Sequence, residues 1–276
     1  MPSKGDSYWQ DENGLWVEKV GPWAKEKQKI LTDYIQIASA TRRKYAHCAF
    51  IDVFSGPGKS QIRNTDELID GSPISGFKQA QRSHPFSAVY ISDADPELLN
   101  SAHIRLSDLA APVNAIPGPA SAALPKIVNR LSSSGLHLAL LDPHNLGTLS
   151  FDLFEALAKL KKIDIIVHVS LSDLQRNVDR YTSEAYAQFD RFAPGWRENI
   201  RVDQNQASLR AAILNYWTEK VVTLGLPRAK HCELIKGLGG QRLYWLMFLA
   251  RHPLPHSFWN KINSSAKQPG FDFGEA

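Results

Sequence analysis

The residues of this chain best suited to chemistry follow a strongly apolar run, in the sequence Leu138-Ala-Leu-Leu-Asp142-Pro143-His144-Asn145. A carboxylate at the end of a strand can accept hydrogen bonds from an amine and so hold the nitrogen lone pair toward an electrophile. Pro143 stiffens the turn and leaves its carbonyl free to accept as well. Histidine is the side chain best suited to act as a base near neutral pH, so His144 can act as a base, stack on a planar ligand or lie in solvent. We therefore predict a catalytic loop at Asp142, Pro143, His144 and Asn145.

A second candidate loop follows the apolar run Ala49-Phe-Ile-Asp52, in the sequence Val53-Phe-Ser-Gly56-Pro-Gly58. Glycines two apart let the backbone turn tightly and approach a ligand at a strand end, where open α/β sheets bind nucleotides. The loop lacks the third glycine of the dinucleotide fingerprint and the glycine spacing of a P-loop. It fits the pattern of S-adenosylmethionine (SAM) methyltransferases, in which an acid near the strand end faces the amino-acid portion of the cofactor. We predict a SAM site formed by Asp52, Phe54, Ser55, Gly56, Pro57 and Gly58, with a loop cap as the alternative role of Asp52.

The next strand-like run, residues 88–92, ends at Asp93. In nucleotide-binding α/β folds an acid at the end of the second strand accepts hydrogen bonds from ribose hydroxyls. We predict this cofactor-binding role for Asp93 and keep a loop cap as the alternative. Asp95 precedes Pro96, which is typical of a helix N-cap. Between the two candidate loops, residues 59–71 are polar and predict an inserted loop beside the ligand cleft.

An alternation of strand-like and helical patterns predicts the fold. Strand-like runs recur at residues 88–92, 113–116, 136–141 and 163–169, and helical patterns lie between them at 74–82, 96–106, 120–131 and 151–160. This alternation is typical of a parallel, doubly wound sheet. A chain of 276 residues with 43% hydrophobic content can also bury a sizeable core. We expect an α/β, Rossmann-like, mostly parallel sheet.

Additions at both ends of this sheet complete the expected organisation. Residues 1–45 predict an N-terminal arm followed by a helix from about residue 25 to 42, and residues 46–177 the Rossmann-like core. Residues 178–229 read as a small, mainly helical lobe or insertion. Residues 230–276 contain two closing strands, at 232–235 and 243–249, and a polar C-terminal tail.

Several of these motifs together resemble the three-Cys-motif partner family. The matching segments, spread over residues 25–262, are Asp52-Val-Phe-Ser-Gly-Pro-Gly58, Asp70-Gly-Ser-Pro73, Leu141-Asp-Pro143, Phe151-Asp-Leu-Phe-Glu-Ala-Leu-Ala-Lys159, Ser172-Asp-Leu-Gln-Arg-Asn177, Arg251-His-Pro-Leu254 and Phe258-Trp259. The resemblance implies a SAM-binding, Rossmann-like fold and a separate partner protein that carries a three-cysteine cluster motif. Asp142-Pro143 also resembles the D-P-P-[FY] site of amino-group methyltransferases, with His144 in place of the aromatic residue.

Two functions stay open on this basis. The favoured one is a SAM-dependent methyltransferase that acts on an amino group of a nucleotide or nucleic acid, together with the three-cysteine-motif partner. The alternative is a non-catalytic Rossmann-like module that binds a nucleotide or a protein. The acids and glycines named above favour the enzyme. His144, and Pro119 where many methyltransferases carry an acid, favour the module.

Composition and cysteine content bear on metal binding, nucleic-acid binding and cellular location. Two distant thiols, Cys48 and Cys232, fall short of a metal or iron–sulfur ligand set, so we expect no metal. The net charge of +4 permits nucleic-acid binding without requiring it. The polar first residues and the lack of an apolar run near ~20 residues predict a cytoplasmic protein that does not enter a membrane.

Overall fold

The computed structural model of the protein describes residues 5–183 and 189–263. In chain order its strands are β1 (Tyr8–Gln10), β2 (Trp16–Val20), β3 (Ala49–Asp52), β4 (Lys59–Ile62), β5 (Leu68–Asp70), β6 (Ala88–Ile91), β7 (Val113–Ala115), β8 (His137–Leu141), β9 (Ile163–Ser170), β10 (Glu233–Lys236) and β11 (Arg242–Ala250). Its helices are α1 (Ala24–Ile37), α2 (Ser39–Arg42), α3 (Ser72–Gln81), α4 (Pro96–Asp108), α5 (Ala120–Val128), α6 (Phe151–Ala158), α7 (Leu171–Thr182), α8 (Trp196–Asn199), α9 (Gln206–Thr223) and α10 (Pro253–Asn263). The predicted C-terminal tail, after residue 267, lies outside the described residues.

Seven strands form the main sheet, in the order β10-β11-β9-β8-β3-β6-β7. The strands from β9 to β7 are parallel, and β11 runs antiparallel to both of its neighbours. Strands β3 and β8 are buried along their whole length, as expected of central parallel strands covered on both faces. The chain leaves β3 toward β6 on one side and returns to β8 on the other. Such a reversal opens a crevice at the carboxyl ends of the two strands, where open α/β sheets bind ligands.

Helices cover both faces of this sheet, so it is doubly wound as predicted. One core contains apolar residues of α5, α6, α7 and α9 together with one face of the central strands. The other core contains apolar residues of α1, α3, α4 and α10 and the opposite face. The closing strands β10 and β11 also lie where the sequence predicts them, at one edge of the sheet.

The prediction of an inserted loop at residues 59–71 is wrong. This segment contains β4 and β5, which join β1 and β2 of the N-terminal arm in a second sheet of order β1-β2-β4-β5. Strand β2 pairs in parallel with β4, and β4 pairs antiparallel with β5. Strands of three to five residues are too short to show an alternating pattern, and the pairing of β2 with β4 joins segments about forty residues apart. The arm is therefore a small sheet as well as a helix.

Helix α4 ties the small sheet to the main sheet. Arg105 donates hydrogen bonds to the carbonyls of Trp16 and Pro57, each at 2.6 Å, and forms an ion pair with Asp11 at 2.7 Å. Ser101 Oγ accepts a hydrogen bond from the Trp16 backbone N–H at 3.0 Å. The same arginine thus holds both the arm and the glycine-containing loop after β3.

The described residues from α7 to α9, which precede the closing strands, pack into the first of these two cores. They do not form a core of their own. The Tyr181 and Phe189 rings stack with centroids 4.5 Å apart, and Phe192 and Trp217 stack at 5.2 Å. All four residues belong to the core shared with α5 and α6. Within residues 5–183 and 189–263, no helix combines the length and apolar character needed to cross a membrane.

Candidate active site

A cavity of about 250 Å³ lies at the carboxyl ends of β3, β8 and β9. Its walls come from the loops after β3 and β8, from the first turns of α1 and from one face of the small sheet. The lining residues used below are Glu18, Lys27, Gln28, Phe54, Ser55, Gly56, Pro57, Gly58, Arg63, Asp142, Pro143, His144, His168 and Tyr244. Two loops predicted separately from the sequence therefore meet in one cavity.

The glycine-containing loop turns through two residues in the left-handed region. Gly56 has φ +54° and Gly58 has φ +78°, where a side chain is strained. A β-carbon on Gly58 would lie 3.2 Å from Cα of Ala102 in α4 and 3.3 Å from the Ile74 side chain. A β-carbon on Gly56 would instead point across the cavity, 3.5 Å from Oε2 of Glu18. Gly58 thus permits packing against α4, whereas Gly56 keeps the cavity open.

Asp93 holds this loop from the neighbouring strand end. Its Oδ2 accepts a hydrogen bond from the Gly56 N–H at 3.0 Å, and its Oδ1 accepts one from the Asp95 N–H at 2.9 Å. These contacts correspond to the loop cap that we kept as the alternative role, and they leave ribose binding a prediction. Asp95 caps α4 as expected, accepting from the N–H groups of Glu97 and Leu98.

Asp52 is buried and does not reach the cavity wall. Its carboxylate accepts hydrogen bonds from Ser72 Oγ at 2.6 Å and from the Phe54 N–H at 3.2 Å. Burial raises the pKa of Asp52 to about 7, opposed by these two hydrogen bonds. Asp52 joins the start of α3 to the loop after β3, so in this structure it shapes the loop from behind.

Asp142 is the centre of a partly buried cluster of charged and polar groups, whose side chains are 13–24% exposed. Its Oδ1 lies 2.7 Å from His168 Nδ1, and its Oδ2 binds Lys27 Nζ. Burial alone would raise the pKa of Asp142, but the Lys27 charge and the His168 hydrogen bond hold that pKa well below its usual range. The pKa of Lys27 is raised by the same carboxylate. Lys27 and Asp142 therefore form an ion pair at neutral pH.

His168 presents a neutral imidazole to this pair. Burial lowers its pKa, more strongly than the Asp142 contact raises it. Because a carboxylate only accepts, the proton of the neutral ring is on Nδ1 and the lone pair is on Nε2. Among the described residues, Nε2 has no hydrogen-bond partner, and neither does the Tyr244 hydroxyl. The Tyr244 and His168 ring centroids lie 3.9 Å apart.

The rest of the predicted catalytic loop takes up different positions. Pro143 is buried in the cavity wall, and His144 is exposed at the cavity edge. Asn145 turns away to cap the next turn, where its Oδ1 accepts from the Thr148 N–H at 3.1 Å. Asp173, in the Ser172–Asn177 motif, accepts a hydrogen bond from the Leu146 N–H at 2.9 Å and fastens this loop to α7.

The polar residues of the cavity that sequence reasoning missed include Glu18, Lys27, His168 and Tyr244. Two of them carry a signal in the sequence. Lys27 lies on the face of α1 that buries Ile30, Leu31 and Tyr34, where a cation needs a partner. His168 interrupts the apolar run of β9 near its carboxyl end.

Comparisons with known proteins bear on the fold. The chain is similar to protein LPL1258 from Legionella pneumophila, of the DUF519 family, with 10% sequence identity, 86% of this chain and 90% of that chain covered, and a TM-score of 0.50. The fold is Rossmann-like. Structures similar to the chain also include the Bacillus cereus O-methyltransferase in complex with SAH (14% identity, 84% and 82% covered, TM-score 0.49). Another is the M. jannaschii TYW2 in complex with AdoMet (11% identity, 91% and 88% covered, TM-score 0.42). No family model matches the chain, and neither does any curated protein.

Proposed function

We propose that this protein is a SAM-dependent methyltransferase that acts on an amino group. One observation carries the proposal: the glycine-containing loop after β3 and the Asp142 loop after β8 line the same cavity, at the point where the strand order of the sheet reverses. This is the crevice in which open α/β sheets bind nucleotide-like ligands.

The residues present fit the cofactor. Gly56 leaves an opening that a β-carbon would fill, between the backbone of the loop and Oε2 of Glu18. The backbone from Phe54 to Gly58 would hold the cofactor along this opening, with Asp93 fixing the loop from behind. When bound, SAM supplies an electrophilic methyl group on a positively charged sulfur.

The Lys27–Asp142–His168 cluster is proposed to prepare the acceptor. The ionised Asp142 carboxylate has lone pairs beyond those used by Lys27 and His168, so it can also accept from an acceptor amine. His168 lines the cavity, and its Nε2, which is buried and has no hydrogen-bond partner among the described residues, is the atom we assign to receive the proton. Lys27 keeps the carboxylate charged and in place.

The acceptor class and the partner are proposed from other features of the chain. A nucleotide or nucleic-acid amine agrees with the positive net charge and with Arg63 and His144 at the cavity. The three-cysteine-motif protein is supported by the resemblance of the motifs from Asp52 to Trp259. Both the acceptor class and this partner are proposals about the chain.

Calorimetric titration with S-adenosylhomocysteine and a transfer assay with methyl-labelled SAM test the function. The assay offers DNA, RNA and the three-cysteine-motif protein as acceptors. Saturable binding and labelling of one acceptor are expected. Binding without transfer to any of the three would favour the non-catalytic module, and the absence of binding would contradict both the cofactor and the enzyme.

A further inference from the structure

Glu18 is an acid inside the cavity that the reaction outlined above does not use. It lies on β2, opposite Tyr8 of β1 and Ser60 of β4 in the register of the small sheet. Its carboxylate projects from the cavity wall toward the glycine-containing loop, since a β-carbon on Gly56 would lie 3.5 Å from Oε2. Glu18 is therefore the side chain that faces the backbone proposed to hold the cofactor.

No described residue compensates this carboxylate directly. Within residues 5–183 and 189–263 the Glu18 side chain has neither a hydrogen bond nor an ion pair, although it is partly buried. Lys27, which lines the same cavity from α1, is bound to Asp142. Burial raises the pKa of Glu18, and Asp142 and Asp93 raise it further, while His144 and Lys27 lower it. A carboxylate in such a place is stabilised by a ligand that brings a positive charge.

The cavity also offers a complementary positive charge. Arg63 follows β4 directly, lines the same cavity and makes no ion pair with any described residue. Its backbone N–H donates to the Val20 carbonyl at 2.8 Å, which places the Arg63 backbone at the carboxyl end of β2, two residues beyond Glu18. One acid on β2 and one guanidinium just after the neighbouring strand β4, both lining one cavity, suit a ligand end that carries an ammonium and a carboxylate together, as an amino acid does.

We propose that Glu18 binds the α-ammonium group of the amino-acid portion of the cofactor, a role that the sequence pattern had suggested for Asp52. The carboxylate of Asp52 is already bound by Ser72 and Phe54 behind the loop, and Asp52 does not line the cavity. The small sheet thus supplies a binding residue as well as a wall. This inference rests on the proposed use of SAM.

The test compares two ligands that differ at this end. S-Adenosylhomocysteine carries the ammonium and carboxylate groups, whereas 5′-methylthioadenosine lacks both. Calorimetric titration of the wild type, Glu18→Gln and Glu12→Gln with each ligand separates the contributions. Glu12 is an exposed acid in the turn between β1 and β2, so its variant controls for the change of net charge in the same arm.

For Glu18→Gln we expect a loss of S-adenosylhomocysteine affinity of about tenfold or more, because a charge-assisted hydrogen bond is lost. Affinity for 5′-methylthioadenosine should stay within about twofold of wild type, and Glu12→Gln should change neither affinity. The melting temperature of ligand-free Glu18→Gln should not fall, since no described residue donates to this carboxylate.

Two results would overturn the inference. One is an unchanged S-adenosylhomocysteine affinity in folded Glu18→Gln, which would mean that another group binds the α-ammonium. The other is an equal loss for both ligands, which would make Glu18 a structural residue of the cavity wall. If the wild type bound neither ligand, the proposed function itself would fail, which is a different result from either of these.

Discussion

His168 Nδ1 lies 2.7 Å from Asp142 Oδ1, and the other oxygen of the same carboxylate binds Lys27 Nζ. The contact joins the ends of two adjacent parallel strands, β8 and β9, to the first turns of α1. It fixes the ring of His168 with its lone pair on Nε2, away from Asp142. Asp142, which the sequence predicts to contact the methyl acceptor directly, therefore also positions His168.

Methyl transfer should depend on both members of this pair. We expect Asp142→Asn and His168→Asn to abolish transfer of label from SAM, while S-adenosylhomocysteine affinity stays within about threefold of wild type, because acceptor geometry affects rate rather than cofactor binding. In the wild type the rate should rise with pH through the pKa of His168, which burial lowers below 6.5. His144→Ala should lose less activity and keep this pH profile. Full activity of folded His168→Asn would exclude the assigned base.

The Lys27–Asp142 pair should show energetic coupling. Asp142→Asn leaves the Lys27 ammonium without its counter-charge and should cost about 3 kcal/mol of unfolding free energy. The double variant Lys27→Met, Asp142→Asn should lose less than the sum of the single variants, by about 1 kcal/mol or more. Denaturant titration of the four proteins measures this coupling. The exposed Lys29–Asp33 pair on the same helix is the control, with an expected coupling below about 0.5 kcal/mol.

The two glycines of the loop after β3 should respond differently to alanine. Gly56→Ala places a methyl group in the cavity opposite Glu18 and should lower S-adenosylhomocysteine affinity about tenfold or more. Gly58→Ala should mainly lower the melting temperature, because its methyl group would press on Ala102. Gly240→Ala shares the positive φ but meets nothing within 4 Å, so it controls for backbone strain. Unchanged affinity in folded Gly56→Ala would argue against this placement of the cofactor.

Asp93→Ala separates the two roles of the acid after β6. As a ribose contact, Asp93 contributes to affinity, and its loss should lower S-adenosylhomocysteine binding about tenfold or more. As a cap for the Gly56 and Asp95 N–H groups alone, its loss should lower the melting temperature and leave affinity nearly unchanged. Calorimetry and thermal unfolding of the one variant decide between them, and we expect both quantities to fall.

The titration of Asp164 should lower the free energy of unfolding of the wild type as the pH rises from about 4 to 7. Its carboxylate is buried, and the one hydrogen bond from Tyr34, at 2.7 Å, offsets only part of the burial that raises its pKa to about 7. Between the unfolded pKa of about 3.9 and the folded value, the folded state holds the extra proton, so unfolding becomes easier as the pH rises. Asp164→Asn removes this titration. The stability of the variant relative to wild type should therefore increase across this range, and a constant difference would contradict the raised pKa.

The sequence by itself determined the main sheet and the two loops that meet in the cavity. Apolar runs bounded by glycine, proline and aspartate indicate β3, β6 and β8, because central parallel strands are buried on both faces. Their carboxyl ends lie at one edge of the sheet, so Gly56 and Asp142 had to come near each other. Local signals such as Asp95 before Pro96 were sufficient for the helix start that they mark.

Tertiary structure alone decided which side chains complete the cavity. The sequences of β2 and β4 show no clear alternation of apolar and polar residues, and the pairing of these two strands joins distant segments. The sequence therefore could not place Glu18 opposite Gly56. The contacts of Lys27 and His168 with one carboxylate depend on how α1 packs across β8 and β9, which periodicity does not encode. A carboxylate bound from behind the loop, as Asp52 is, has the same sequence pattern as one that faces a ligand. The direction of a side chain at a strand end follows from packing on both of its sides, and that packing exists only in the folded chain.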